Sequence, residues 1–140
     1  MACATPRPNG HDAATLPEPR HVLAHHVFRI AEAFLETADV CKTSIEAALA
    51  RAGNSTRDVN VLFTYQGTPW LRRIVQEYAG LEHARSVETF DRTGYLCAAI
   101  IPSAMVLAQQ QELLNQGDLI AMTGGGTGMT CGALVMRWGR

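Results

Sequence analysis

The sequence has little net charge and no long apolar run. Its 140 residues include 12 Lys and Arg and 13 Asp and Glu, which leaves a net charge of −1. Such a chain lacks the positive field that holds nucleic acid or an anionic membrane, so we expect neither as a partner. No apolar run reaches the roughly 18 residues needed to cross a bilayer, and the first residues lack the features of a signal peptide. We therefore expect a cytoplasmic protein.

Cysteine motifs are absent as well. The four cysteines, Cys3, Cys41, Cys97 and Cys131, lie far apart in the sequence and form no C-x-x-C pair. This spacing argues against a zinc site and against a disulfide framework. We interpret most of them as small buried hydrophobic residues. The hydrophobic content of 47% is that of one globular domain with a sizeable core.

Proline and apolar patterns divide the chain. Four of the six prolines fall in residues 1–20, which predicts a flexible tail followed by one domain over 21–140. From Val27, apolar residues recur every three or four positions, which predicts a long helix ending near Gly53. Residues 59–63 are nearly all apolar β-formers, as in a strand that is covered on both faces. A parallel sheet is implied.

The second half of the chain alternates helices and strands. Thr68 followed by Pro69 predicts a helix N-terminus, and that helix would end at Gly80. We expect a weak strand over 87–90, then a third helix after Gly94 that holds Pro102 in its first turn and stops at Gly117. Residues 118–123 and 129–138 resemble strands joined by a glycine turn. These elements predict an α/β fold, a layered mixed sheet packed by helices and ending in a β-hairpin.

Two motifs that could bind a phosphate or a metal are incomplete. The glycine-rich segment 124–128 precedes a strand instead of a helix, so we expect a tight turn or a close backbone approach to a ligand, and no nucleotide site. His21, His25 and His26 have i, i+4 spacing, but no third ligand accompanies them. We expect no metal site.

Two further residues are candidates for chemistry. Cys97 lies near a predicted helix start, where the helix dipole favours a thiolate, although a buried packing role is the simpler interpretation. Tyr65 directly follows a predicted parallel strand, at the end where α/β sheets place their ligands.

Residues 59–138 resemble, without a gap, the C-terminal half of β-ketoacyl-acyl-carrier-protein synthase III, a thiolase-fold condensing enzyme. The helix from Val27 is similar to the first helix of that half. The most specific matches lie towards the C-terminus: Asp91-Arg92-Thr93-Gly94, Pro102, Gln116-Gly117-Asp118-Leu119, Gly132-Ala133-Leu134 and Arg137.

The resemblance implies a site shared between two halves. In the family a cysteine of the N-terminal half takes an acyl group from CoA, and a histidine and an asparagine of the C-terminal half stabilise the carbanion and oxyanion. The histidine of the His-Gln-Ala-Asn motif falls on Tyr65 here, and the asparagine of Gly-Asn-Thr-Ser falls on Tyr95. We expect both tyrosines to fill the former cavity, and we find no counterpart of the nucleophile.

Other implied contacts follow from the same alignment. The implied pocket residues are Gln66, Thr68, Trp70, Cys97, Gly126, Thr127 and Gly128. Arg72 and Arg73 would contact an acyl carrier protein or CoA phosphate, or else be two solvated arginines. No cofactor is implied beyond an acyl-CoA or acyl-carrier thioester as ligand. The family also has a central strand before the long helix, which the proline-rich tail cannot easily supply, so we expect exposed apolar faces that something else covers.

Three functional hypotheses remain. The first is a pocket-shaping subunit that binds a thiolase-like chain, which supplies the cysteine, or that associates with itself, with an acyl carrier protein as a further partner. The second is a subunit of an acyltransferase that acts without decarboxylation on another acceptor. The third is a decaying reading frame without activity.

Overall fold

The structure is a computed structural model that describes the backbone of residues 19–34 and, in full, residues 35–126 and 130–139. The chain divides into two compact units, 1–32 and 33–140, and the packing below concerns the second. Helix α1 spans Pro19–Arg51, so it begins earlier than Val27 and ends where predicted. Proline fits the first turn of a helix because its missing N–H has no partner there in any case. The rest of the predicted tail, 1–18, lies outside the described residues.

Three strands form one mixed sheet in the order β1-β2-β3. Strand β1 (Val61–Thr64) runs parallel to β2 (Leu119–Gly126), which pairs antiparallel with β3 (Thr130–Arg137). All four residues of β1 are buried, which confirms the prediction of a strand covered on both faces. The α/β class and the closing strand pair are confirmed.

Helices cover both faces of the sheet because the side chains of a strand alternate. On one face, Ile45 and Leu49 of α1 pack against Leu62 and Ala121. On the other face, Phe63 and its neighbours pack against helix α4 (Ile100–Gln110). The sheet therefore lies between two helical layers. None of the helices in the described part of the chain is long and apolar enough to cross a membrane.

Strands β1 and β2 pair directly with each other. The Asn60 N–H donates to Leu119 O at 2.9 Å, and the Tyr65 N–H donates to Thr123 O at 3.0 Å. These bonds join β1 directly to β2, so no other strand lies between the two.

Helix α2 (Leu71–Tyr78) begins later than the Thr68-Pro69 pattern predicts. Trp70 occupies the N-cap position without a side-chain capping bond, and Thr68 participates only through its carbonyl, which accepts the Leu71 N–H at 3.4 Å. The capping prediction is therefore wrong. The end is as predicted, because Gly80 adopts φ +65 and stops the helix.

The prediction of a strand over 87–90 is also wrong. Only Arg85 forms a bridge, to Val61, and Phe90–Thr93 forms a short helix, α3. Side chains take the backbone donors that a strand would use: the Thr89 N–H donates to Gln66 Oε1 at 2.9 Å and the Phe90 N–H to Glu88 Oε1 at 3.1 Å.

Helix α4 holds Pro102 in its first turn, as predicted, but ends at Gln110 instead of Gly117. The chain reverses at Glu112, which has φ +55. The Glu112 N–H donates to Gln109 O at 3.1 Å and the Leu113 N–H to Ala108 O at 2.9 Å, the two bonds of a Schellman motif. This ending was hidden in the sequence because glutamate, unlike glycine, is not a typical residue for a left-handed position.

Replacing Glu112 by glycine is expected to stabilise the protein. A left-handed conformation costs an L-residue about 1 kcal/mol that glycine does not incur, so Glu112→Gly should raise the free energy of unfolding by about 0.5–1 kcal/mol. Urea denaturation measures this change. The matched control is Gln111→Gly, because Gln111 has φ −91 and glycine relieves no strain there. Destabilisation by Glu112→Gly would contradict the prediction.

The glycine segment is mostly strand, not turn. Gly124, Gly125 and Gly126 belong to β2 and pair with Gly132, Cys131 and Thr130 of β3. The prediction of a turn over 124–126 is therefore wrong, because the ladder continues beyond the last apolar residue of β2. Residues 127–129, which include the predicted pocket residues Thr127 and Gly128, lie outside the described residues.

Candidate functional site

The candidate site begins where β1 ends. Tyr65 directly follows this strand, and its ring folds back over Gly67. A Cβ at position 67 would lie 2.6 Å from Tyr65 Cε1 and 2.7 Å from its hydroxyl oxygen. Only a residue without a side chain allows the ring to lie here. The expected position of Tyr65 at the carboxyl end of a parallel strand is thus what the fold produces.

A strained loop brings Tyr95 to the same place. Gly94 ends α3 with φ +66 and ψ −153, and Cys97 has φ +51. Between these two positions the chain carries Tyr95 to Tyr65, with ring centroids 5.8 Å apart and the planes at 80°. This edge-to-face arrangement is a favourable one for aromatic rings. We call Tyr65 and Tyr95 the tyrosine pair.

Hydrogen bonds link the tyrosine pair to Cys97. The Tyr95 hydroxyl bonds to Tyr65 and, second in effect, to Cys97, and these bonds raise the pKa of Tyr95 above its ordinary value. About half of the Tyr95 surface is exposed. Cys97 is exposed, so its interpretation as a buried packing residue is wrong. It lies in a short 3₁₀ turn, Cys97–Ala99, ahead of α4 instead of within that helix.

Removing the Tyr65 hydroxyl is expected to lower the pKa of Tyr95. Tyr65→Phe keeps the ring but deletes the main hydrogen bond to Tyr95, so the Tyr95 phenol should ionise at lower pH. NMR titration of ¹³C-labelled tyrosine resolves each of the three tyrosines. Tyr78→Phe, an exposed side chain on α2, is the control and should leave the Tyr95 titration in place. An unchanged Tyr95 pKa in Tyr65→Phe would show that the two hydroxyls are not bonded.

The buried Gln66 side chain hydrogen bonds with two residues beside the candidate site. It is 1% exposed, and its Nε2 donates to Val87 O at 2.8 Å. Its Oε1 accepts from the Thr89 N–H at 2.9 Å and from Thr89 Oγ1 at 3.0 Å. The amide expected to line a pocket is therefore occupied in joining the end of β1 to the segment before α3. Nothing in its sequence context distinguished this role.

The remaining predicted residues are divided between the interior and the surface. The Thr68 hydroxyl is buried and has no hydrogen-bond partner, whereas the Trp70 side chain is exposed. Arg72 forms a salt bridge with Glu88, with Nε 3.0 Å from Oε2, and its Nη1 donates to Gln76 Oε1 at 2.9 Å. Arg73 is exposed on the same helix. Of the two arginines, only Arg73 fits the solvated interpretation.

The structure also contains a groove that was not expected from the sequence. It is an open groove of about 390 Å³ between α3 and α4, and its lining is mainly apolar. It is lined by Thr89, Arg92, Thr93, Pro102, Ser103, Val106, Leu107 and Gln110. No sequence motif marks this groove. Within the described ranges, no three His, Cys, Asp or Glu side chains are grouped so that they could hold a metal.

A mixed sheet between helices, with the site at the ends of its parallel strands, defines a thiolase-like half. Solved structures confirm this class. The structure is similar to that of β-ketoacyl-[acyl carrier protein] synthase III from Thermus thermophilus, with a TM-score of 0.72 and 28% identity over 78% of this chain and 34% of that one. It is also similar to 3-oxoacyl-(acyl carrier protein) synthase III from Pseudomonas aeruginosa PAO1, with a TM-score of 0.73 and 26% identity over 79% of this chain and 35% of that one.

The sequence defines the family. Residues 49–138 match the model of 3-oxoacyl-[acyl-carrier-protein (ACP)] synthase III C terminal. A relative from Deinococcus radiodurans, β-ketoacyl-[acyl-carrier-protein] synthase III 2, is 32% identical over 126 residues, which are 90% of this chain and 37% of the relative. The chain therefore belongs to the family of 3-oxoacyl-[acyl-carrier-protein] synthase III C-terminal domains, and it spans little more than a third of that relative's length.

Proposed function

We propose that this chain forms the C-terminal half of a synthase III-like acyltransferase site, where it shapes the pocket without supplying the groups for carbon–carbon bond formation. The nucleophilic cysteine comes from a thiolase-like N-terminal half. The tyrosine pair carries this proposal, since Tyr65 and Tyr95 align with the family's histidine and asparagine and lie together at the carboxyl end of β1.

The chemistry of phenols supports a non-condensing role. A decarboxylating condensation needs hydrogen-bond donors aimed at the enolate oxygen. Each phenol has one O–H, and the Tyr95 hydroxyl is already bonded to Tyr65 and Cys97. The two rings, packed edge to face, also take more space than an imidazole and an amide. The pair therefore offers fewer free donors and a smaller cavity than the residues it replaces.

The proposed ligand is an acyl-CoA or an acyl-carrier thioester. The Deinococcus radiodurans and Thermus thermophilus relatives carry the acyl carrier protein in their names. Of the two arginines of α2, the exposed Arg73 is the one available to a carrier's acidic surface, because Arg72 is paired with Glu88. We propose that Arg73, and not Arg72, makes that contact.

A hybrid enzyme tests the proposal. Residues 49–138 replace the matching region of the Deinococcus radiodurans relative, which keeps its own N-terminal half. We expect intact mass spectrometry to show acylation of the hybrid by acyl-CoA, while the 3-oxoacyl product stays at least about 100-fold below that of the parent enzyme, the scale of losing one oxyanion donor. Thermal melting checks that the hybrid is folded. Condensation within tenfold of the parent would contradict the proposal.

The second candidate is acyl transfer without decarboxylation. It is favoured by the Tyr65 hydroxyl, which remains beside an exposed phenol and could donate to the oxyanion of a thioester under attack. In the same hybrid, transfer of the acyl group to an added amine or thiol should then slow more than about tenfold in Tyr65→Phe. Unchanged transfer would assign Tyr65 to packing.

A further inference from the structure

Two cysteines that are distant in the sequence meet in a buried cluster that Tyr65 also contacts. Cys41 Sγ of α1 lies 3.5 Å from Cys131 Sγ of β3, across 90 positions of the chain, and both are free thiols. A disulfide has an S–S length of about 2.05 Å, so the sulfur atoms are about 1.5 Å from bonding distance. Side-chain rotations can supply a movement of this size.

The surroundings hold both sulfur atoms in place. Thr123 Oγ1 of β2 lies 3.6 Å from Cys131 Sγ and donates to Gly132 O at 3.2 Å. Cys41 is packed with Ala38, Leu71 and Val75 in the cluster that Cys131 borders. Two elements of the fold, α1 and the closing strand pair, therefore meet at these thiols.

The two thiols differ in access. Cys41 is fully buried, and burial is the main cause that raises its pKa to about 12. Cys131 is half-buried on β3, which has no strand on its outer side among the described residues. Attack on an external disulfide thus begins at Cys131, because thiolates and not thiols are the nucleophiles and Cys41 rarely ionises.

We propose that Cys41 and Cys131 are a redox modification site, which a small disulfide such as glutathione disulfide converts into an intramolecular disulfide between α1 and β3. In the first step the Cys131 thiolate attacks glutathione disulfide, forming a mixed disulfide and releasing one glutathione thiolate. In the second step Cys41 loses its proton, its small thiolate fraction attacks Cys131 Sγ, and the second glutathione leaves as a thiolate; the two released glutathione thiolates take up the protons that the two cysteines lost. Two protein thiols are oxidised, and one glutathione disulfide is reduced to two glutathiones.

A two-thiol variant makes the test unambiguous. Cys3→Ser with Cys97→Ser leaves only Cys41 and Cys131 of the four cysteines. After treatment of the folded variant with glutathione disulfide, we expect the intact mass to fall by two hydrogens, without a bound glutathione. Trypsin should then release peptides 30–42 and 93–137 as one linked species, which a reductant separates. Wild-type protein should give the same link.

Two control variants separate the steps. Cys41→Ala in this background removes the resolving thiol, so the glutathione adduct on Cys131 should accumulate at least tenfold above the parent. Cys131→Ala should leave Cys41 largely unmodified, because it is buried. Circular dichroism confirms that each variant is folded. The proposal would be overturned if the two-thiol parent stopped at the mixed disulfide. It would also be overturned if the parent retained both thiols at an excess of oxidant that modifies Cys97 in the wild-type protein. None of these measurements depends on acyl-transfer activity.

Discussion

Tyr65→His combined with Tyr95→Asn, introduced into the hybrid enzyme, is expected to raise the rate of 3-oxoacyl product formation by at least about 100-fold. The two positions lie together at the end of β1, with ring centroids 5.8 Å apart in the wild type. Smaller side chains reopen the space that the rings fill, and an imidazole and an amide supply donors that can point at the enolate oxygen. Product formation from acyl-CoA and malonyl-carrier protein measures the effect.

The single variants and a distant control sharpen this result. Because the two donors act on one developing charge, Tyr65→His or Tyr95→Asn alone should gain little, and the gain of the double variant should exceed the product of the two single gains. Tyr78→Phe on α2 should leave the rate unchanged. A double variant that binds the acyl group but forms no more product than the hybrid itself would show that more than these two residues separates this chain from condensing enzymes.

Gln66→Leu is expected to lower the free energy of unfolding by about 3 kcal/mol. The buried amide makes three hydrogen bonds, to Val87 O, the Thr89 N–H and Thr89 Oγ1. Leucine has a similar volume but satisfies none of these partners, and each buried group left unpaired costs on the order of 1–3 kcal/mol. Urea denaturation with a two-state fit measures the loss.

The control for this variant is Gln109→Leu, an exposed position on α4 that should change stability by less than about 0.5 kcal/mol. A loss below 1 kcal/mol for Gln66→Leu would mean that Val87 and Thr89 find other partners. In the hybrid, a folded Gln66 variant should also perturb the tyrosine pair, because Gln66 joins the Tyr65 end of β1 to the segment leading to Tyr95.

Local patterns were sufficient where burial is periodic. The three-and-four repeat predicted α1 and its end at Gly53, and the apolar run over 59–63 predicted β1 and a parallel partner. The matches from Asp91 to Arg137 placed the chain in its family. Each of these signals depends on neighbouring residues or on inherited spacing.

Predictions from local sequence patterns failed where long-range contacts or unusual backbone conformations decide the structure. The strand over 87–90 failed because Gln66, more than twenty positions earlier, takes the Thr89 N–H. The third helix stops at Gln110 because Glu112 accepts a left-handed conformation without being glycine. The sequence favours a buried packing role for Cys97. The positive φ angles of Gly94 and Cys97 instead leave Cys97 on the surface, beside Tyr95.

Periodicity and motif spacing were enough to establish an α/β half of thiolase type, because the order of neighbouring residues determines the apolar face that each element buries. Tertiary packing alone decided which distant groups meet. Tyr65 reaches Tyr95 only because Gly67 leaves room for its ring, and Cys41 reaches Cys131 only because α1 packs on a face of the sheet. The contacts of the candidate site join residues that are far apart in sequence, and no local propensity encodes such a distance.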